Sequence, residues 1–356
     1  MSLARRASHE GAASGYNSAP MNNDTTLSLI AAIALNLLRA LINAYGASVL
    51  LYLGLRWLIG ERWTFIALIN TFAEWLLLPA FVLLALALLT GSWHSALWCV
   101  PAIAAFCVLY GPLFMPRPAP PAEGLPTLRV MTYNLLANNR AYDEAAAMLL
   151  ASDADVIGLQ EYNAAAHAAL EPALAAAYPH RAVHPQPDRF AGQAVYSRYP
   201  ITEDAYWQYE WLITPLGHQR VRIAAPFGSF VLYNAHPTHP NMNHQFFNPS
   251  FRSREVADLL ARIVAEGDVP LILLGDFNLP DQSDDYARLT AALTDSFRAQ
   301  GWGMGRTFHY RSRFAFLRLD YIFHNHHWHT LEAAVSDDDA GSDHFPVVAL
   351  LAYARP

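Results

Sequence analysis

The 356-residue chain contains no lysine. Every fixed positive charge is an arginine, so lysine is excluded as nucleophile, general base or phosphate clamp, and cationic chemistry falls to Arg, His or a metal ion. Cysteine is almost absent as well. Cys99 and Cys107 are the only two, and both lie in an apolar stretch. Residues 127–356 have none, which excludes thiol catalysis and a disulfide framework there. Residues 63–115 hold a single Asp, Glu, Lys or Arg, Glu74. A basic excess is missing too: residues 127–356 carry 17 Arg against 25 Asp and Glu, so there is no domain-wide footprint for nucleic acid. What remains is 54% hydrophobic and 15% charged, a composition between globular and membrane proteins.

Residues 1–26, rich in Ser, Gly, Ala and Asn, are predicted to be disordered, and Met21 is a second candidate start. Residues 27–115 read as a membrane region of about three helices, because a hydrocarbon core of ~30 Å takes about 20 apolar residues per span. Thr64–Leu89 supplies one, with Glu74 and Pro79 inside it, and Ser95–Phe114 another. Arg39 and Asn43 interrupt Leu27–Ile59, so the third span is placed near 40–59, with 27–38 as an amphipathic lead-in. Counts of two and four stay open. Trp57, Trp63, Trp75, Trp93 and Trp98 fall mostly near span ends, as interfacial aromatics do. Arg5 and Arg6 favour a cytoplasmic N-terminus, whereas Arg56, Arg62, Arg117 and Arg129 pull the other way. Residues 116–126 form a Pro-rich linker, read as a stiff spacer of about 30 Å or less.

From 127 onward, strand patterns (128–134, 155–160, 192–198, 219–225, 229–236, 270–276, 316–323, 346–352) mix with helical ones (141–151, 164–176, 252–265, 284–292). Many strands and few helices predict an α/β (α+β) fold: a four-layer sandwich of two packed β-sheets flanked by helices.

Six of the apolar runs end in polar groups: Met131-Thr132-Tyr133-Asn134, Leu159-Gln160-Glu161, Asn234-Ala235-His236, Leu274-Gly275-Asp276-Phe277-Asn278, Leu319-Asp320-Tyr321 and Gly341-Ser342-Asp343-His344-Phe345-Pro346. Alone, each also fits an ordinary turn or surface residue. Together, strand ends converging on one cleft would gather the Asn, Glu, Asp and His that metal-dependent phosphoryl cleavage needs. Glu161 is a suitable oxygen ligand for Mg²⁺. Asp276 and Asn278, two apart, point the same way on an extended chain and can orient a water and a phosphate oxygen. Asp343 can reach a metal or its water, His344 a phosphate, and Asp320 can set the His344 tautomer. His236 is a second imidazole at a strand end.

These segments resemble the endonuclease/exonuclease/phosphatase (DNase I-like) superfamily, over about residues 127–354. That superfamily includes DNase I-like nucleases, abasic-site endonucleases, neutral sphingomyelinases and inositol polyphosphate 5-phosphatases. The resemblance implies a metal site at Glu161 and Asn134 with Asp343 nearby, holding Mg²⁺ or Mn²⁺. It implies that Asp276 polarises the attacking water, that Asn278 orients water or phosphate, and that His344, paired with Asp320, and His236 stabilise phosphate charge. Residues 191–200 match a further segment, in which Arg198 is structural. The layout of spans followed by this domain is similar to membrane-anchored bacterial members of the teicoplanin-resistance type. It implies an integral protein of the bacterial plasma membrane, an extracytoplasmic catalytic domain and a lipid-linked phosphate, phosphodiester or pyrophosphate as substrate. A nuclease of the same mechanism is the alternative, which the acidic domain disfavours. A non-catalytic relative whose membrane part binds a partner is a third reading; no protein partner is inferred.

Several other stretches stay open. Residues 239–249 suit a head-group grip or an ordinary loop. Tyr206–Leu212 suits lipid contact or packing. Residues 324–329, with four His in six positions, suit an exposed hairpin better than a zinc site. Arg306, Arg311, Arg313 and Arg318 attract an anionic head group or balance nearby acids.

Overall fold

Alternation along the strands decides the architecture. The computed structural model describes residues 23–118, 120–187, 190–242, 246–310 and 314–354. In β1 (Thr127–Asn134), Leu128 and Val130 pack into a core between two sheets, while Met131 and Tyr133 pack outward against helices α6 (Tyr142–Ala151) and α7 (Ala164–Leu174). The first sheet has the order β11 (Trp328–Val335), β12 (Val347–Tyr353), β1, β2 (Val156–Gln160), β4 (Gln193–Ser197), β3 (His180–His184). The second runs β5 (Ile201–Trp207), β6 (His218–Ala225), β7 (Gly228–Ala235), β8 (Leu271–Asp276), β10 (Asp320–His324), β9 (Thr294–Asp295). Helices α8 (Ser250–Ala265) and α9 (Asp284–Ala292) cover its outer face through Val256, Leu259 and Leu289. The predicted four-layer sandwich is therefore the observed fold.

Only β1–β2 and β7–β8 pair in parallel; the other neighbours are antiparallel. The two parallel pairs point the C-terminal ends of four central strands towards the same rim. A buried amide bridge joins the sheets just beneath it. Gln160 Nε2 donates to Asn234 Oδ1 at 2.7 Å, and Asn234 Nδ2 donates to the carbonyls of Leu159 and Ala194 at 3.0 and 3.2 Å.

The N-terminal helices are α1 (Asn23–Leu58), α2 (Thr64–Thr71), α3 (Ala73–Leu77), α4 (Pro79–Leu89) and α5 (Trp93–Leu109). Residues 1–22 of the expected disordered N-terminus lie outside the described residues, whereas 23–26 already belong to α1. Only α1, over Thr26–Leu58, is by itself long and apolar enough among the described residues to cross a membrane. The 64–89 segment meets that test only as a pair of helices bent by 76° at Phe72, and α5 is 17 residues long. The lead-in and span expected within α1 form one continuous helix, because neither Arg39 nor Asn43 breaks the backbone pattern. Arg39 Nε donates instead to Ser92 Oγ at 2.7 Å, in the turn between α4 and α5.

The sandwich also touches the N-terminal helices directly. Arg56 Nη2 donates to the Gln282 carbonyl at 3.2 Å, Arg298 Nη1 to the Leu109 carbonyl at 3.1 Å and the Gly303 amide to the Leu113 carbonyl at 2.9 Å. The sandwich sits directly on the domain-side ends of α1, α3 and α5.

Candidate active site

Inward-facing positions continue past the inter-sheet core and end in the polar groups. Leu128, Val130 and Thr132 lead to Asn134; Phe230, Leu232 and Asn234 lead to His236; Ile272 and Leu274 lead to Asp276. On β10, Asp320 is the register partner of Asp276, so the two carboxylates project side by side from neighbouring strands. Glu161, Asp276, Asn278, His236, Asp343 and His344 line one cleft of about 300 Å³, together with Leu136, Phe190, His239 and Phe308.

The contacts within it are specific. Asn134 Nδ2 donates to Asp276 Oδ2 at 3.0 Å and to Glu161 Oε1 at 3.2 Å, bridging the two sheets. The Ala137 amide donates to Glu161 Oε2 at 2.7 Å. Asp276 Oδ1 accepts from the Asn278 amide at 2.9 Å, and Asn278 Nδ2 donates to the Pro237 carbonyl at 3.1 Å. His344 Nδ1 lies 2.8 Å from Asp320 Oδ2, and its Nε2 lies 3.6 Å from Asp276 Oδ2. His236 Nε2 lies 3.5 Å from the same oxygen. Asp276, Asp320 and His344 form a close group within it, with one ligand atom of each within 4.8 Å of the others.

The backbone departs from ordinary strand geometry where these groups emerge. Glu161 (φ 57°), Leu136 (φ 60°) and Asn278 (φ 51°) are left-handed, a conformation that non-glycine residues adopt only where surrounding structure imposes it. Gly275 has φ 145°, and a Cβ there would run into the Ala235 carbonyl of the parallel neighbour β7. That glycine lets two strands approach closely just before Asp276.

Electrostatics separates the two histidines. Burial opposes charge on His344, but Asp320 and Asp276 outweigh it and push its pKa up to about 10. Asp320 at Nδ1 thus favours the imidazolium form. Burial takes His236 the other way, down to about 4, and its Nδ1 is buried with no hydrogen-bond partner. The two imidazoles at the cleft therefore differ in electrostatic setting: carboxylates favour the charged form of His344 and burial the neutral form of His236. Burial pushes Glu161 up to about 7, against the bonds from Ala137 and Asn134 that favour the anion.

Four carboxylates (Glu161, Asp276, Asp320 and Asp343) surround this site with His344 as the charged imidazole facing them. Two like charges on directly paired strand positions repel, and Asp320 Oδ1 is buried without a partner. Such an oxygen-rich, under-neutralised donor set fits a hard divalent cation, which takes carboxylate and amide oxygens and keeps several waters. The residues expected to hold it, Asn134, Glu161 and Asp343, stand at this cleft beside the Asp276–Asp320–His344 group.

All eight expected site residues are therefore brought together. Three supporting residues, Ser342, Thr307 and Arg252, were not singled out, while His239 begins the 239–249 stretch noted above. Ser342 Oγ donates to the Asn134 carbonyl at 2.7 Å and accepts from the His344 amide at 3.1 Å. Thr307 Oγ1 accepts from the Asp320 amide at 3.2 Å. Buried Arg252 donates to the Asn278 carbonyl at 2.6 Å, and His239 lines the cleft. Ser342 lay inside a recognised motif, whereas nothing in the sequence marks Thr307 or Arg252.

The open stretches resolve mainly as structure. Arg198 pairs with Asp153 and Asp155. Trp207 stacks on His218, Tyr209 donates to Asp258 at 2.6 Å and Trp211 packs on Phe251, so the 206–212 aromatics pack against β6 and α8. Arg318 is buried against Asp295 at 2.7 Å, and Arg306 meets Glu74; Arg311 and Arg313 lie outside the described residues, as do 243–245 of the 239–249 stretch. The 324–329 segment is not an exposed hairpin. His324, His327 and Trp328 are buried, and Asp268 Oδ1 sits 3.2 and 2.8 Å from Nε2 of His326 and His327.

Parallel strand ends bearing this donor set on a two-sheet sandwich are the layout of a family whose members are hydrolases acting on phosphoesters. The sequence matches the Endonuclease/Exonuclease/phosphatase family over residues 131–344, and the chain belongs to that family. Solved structures agree in fold. An endonuclease/exonuclease/phosphatase family protein from Bacteroides thetaiotaomicron superposes with TM-score 0.53 at 21% identity, covering 64% of this chain and 98% of that one. The mannosyl-6-phosphatase of the same organism gives 0.51 at 21%, covering 64% and 100%. The human Nocturnin catalytic domain, with a bound sulfate, gives 0.53 at 20%, covering 64% and 95%. A search of curated proteins gave no match.

Proposed function

We propose that the protein is a membrane-anchored, divalent-metal-dependent phosphoesterase acting on a lipid-linked phosphate, phosphodiester or pyrophosphate. The observation that carries the hydrolytic part is the meeting of Asn134, Glu161, Asp276, Asn278 and His344 in one cleft from separate strand ends. Glu161, Asn134 and Asp343 would hold Mg²⁺ or Mn²⁺. When bound, such an ion neutralises phosphate oxygens and the leaving oxygen. Asp276, fixed by Asn134 and the Asn278 amide, accepts a hydrogen bond from the attacking water and holds it in line with phosphorus. The Nε2 proton of His344, kept in place by Asp320 at Nδ1, faces the negative charge that grows on the phosphoryl oxygens. Neutral His236 can donate or accept at one nitrogen while burying no second charge. No covalent intermediate is needed.

The lipid part rests on direct contact between the sandwich and the apolar helices, which keeps the cleft within a domain's width of any bilayer those helices occupy. Helix α1 is long and apolar enough to cross a membrane alone, and the bent pair over 64–89 is a second candidate. Arg39 lies at the α4–α5 turn and Arg56 at the catalytic domain. The intervening ~25 Å of helix matches a hydrocarbon core. An extracytoplasmic placement of the catalytic domain is proposed from the similarity of layout to membrane-anchored members of the superfamily. The acidic domain disfavours nucleic acid as substrate.

The test uses the full-length protein in proteoliposomes with Mg²⁺ or EDTA. Phosphate or head-group release is measured from phosphatidic acid, phosphatidylglycerol and a polyprenyl pyrophosphate, with plasmid DNA alongside. EDTA-sensitive release from a lipid is expected. Cleavage of DNA alone would favour the nuclease reading, and no EDTA-sensitive hydrolysis would overturn both.

A further inference from the structure

Glu74 is the one Asp, Glu, Lys or Arg in residues 63–115, and it is buried. Arg306 Nε of the catalytic domain donates to its Oε1 at 2.8 Å, and the Arg306 guanidinium lies 4.6 Å from the Trp75 ring centroid. Trp75 Nε1 donates to the Phe316 carbonyl at 3.0 Å. Arg306 and Phe316 are on opposite arms of one hairpin, closed by the Phe308 amide on the Leu317 carbonyl at 2.9 Å and the Phe316 amide on the Phe308 carbonyl at 2.9 Å. Two adjacent residues of α3 thus grip both arms.

The far side of that hairpin supports the active site. Thr307 Oγ1 accepts from the amides of Leu319 and Asp320 at 3.0 and 3.2 Å, and its carbonyl accepts from the Phe345 amide at 2.7 Å. The Phe308 ring lies 4.9 Å from the His344 ring and lines the cleft. The chain of direct contacts runs from Glu74 to Arg306, through adjacent Thr307 to Asp320, and from Asp320 to His344.

We propose that Glu74 and Trp75 are positioning residues of the active site: the helical region fixes the paired arms 306–310 and 314–317, which in turn set Asp320 and His344. The helices are then a working part of the enzyme and not only an anchor. A charged group placed in an otherwise uncharged stretch is explained by this ion pair. The role rests on the phosphoesterase reading only for its kinetic readout.

The experiment uses the full-length protein in detergent micelles. It measures Mg²⁺-dependent hydrolysis of bis-para-nitrophenyl phosphate and amide hydrogen exchange over residues 306–320. Glu74→Gln and Trp75→Leu are expected to lower kcat about 10-fold, within the range of energetic coupling through packed networks, and to speed exchange in that segment. Glu74→Asp is expected to recover most of both. Arg56→Ala, which removes a helix–domain contact at Gln282 without touching the hairpin, is expected to alter neither. Unchanged exchange in Glu74→Gln, failure of Glu74→Asp to rescue, or an equal effect of Arg56→Ala would overturn the role. A wild-type protein inert towards the ester would count against the phosphoesterase reading, and the exchange data would still decide the positioning role.

Discussion

Replacing Asp320 by Asn removes one charge and almost no volume, which makes it a sharp test of the His344 imidazolium. Asp320 Oδ2 sits 2.8 Å from His344 Nδ1, and with Asp276 it lifts that histidine from 6.5 to about 10 against the cost of burial. A hydrogen bond to a charged group contributes about 2 kcal/mol, so its loss corresponds to about 30-fold in kcat if the charge is needed in the transition state. The direction with pH follows from the same shift. A folded-state pKa above the unfolded one stabilises the folded protein fully below pH 6.5, and that stability is lost as pH rises towards 10. In Asp320→Asn the folded pKa falls, so the metal-free variant is expected to lose stability below pH 7 relative to wild type and to differ little at pH 10. The assay pairs kcat between pH 6 and 10 with thermal unfolding in EDTA over the same range. A variant with unchanged kcat and an unchanged stability difference across pH would refute the assignment of His344 as a cation held by Asp320.

Glu161→Gln is expected to abolish Mg²⁺-dependent hydrolysis while raising the metal-free Tm at pH 8. With the folded pKa raised from 4.5 to about 7, the wild-type carboxylate destabilises the metal-free fold increasingly through that window; a lower Tm for the variant, or surviving turnover, would contradict this. Asp276→Asn is expected to eliminate turnover with little change in Tm, measured by hydrolysis and calorimetry. Gly275→Ala forces a Cβ into the Ala235 carbonyl at φ 145° and is expected to cost about 2 kcal/mol or more in denaturant unfolding. Gln160→Leu strands Asn234 Oδ1 between the sheets and is expected to cost about 1–3 kcal/mol in the same measurement.

The apolar runs and their polar ends were legible because a buried strand must alternate or be wholly apolar, and a cluster of carboxylates, amides and imidazoles at such ends has few structural uses. Strands β3, β5 and β11 were not, since their exposed faces and mixed composition weaken the two-residue period. The 324–329 histidines divide: polar type suggested exposure, which holds for His326 and His329, but His324 and His327 are buried, against Thr330, Asn325 and Asp268. The Pro-rich segment read as a spacer because local stiffness is a chain property, whereas docking of the helices depends on surfaces far apart in sequence.

The sequence by itself determined the sandwich class, the family and the eight polar residues at the cleft, because local periodicity and short motifs encode which side chains end a buried strand. Only the tertiary structure decided that Asp276 and Asp320 pair in register around His344, that His236 is neutral where His344 is charged, and that Glu74 reaches Arg306. Those facts depend on distance, burial and the field of neighbours, which are set when strands and helices remote in the chain pack together.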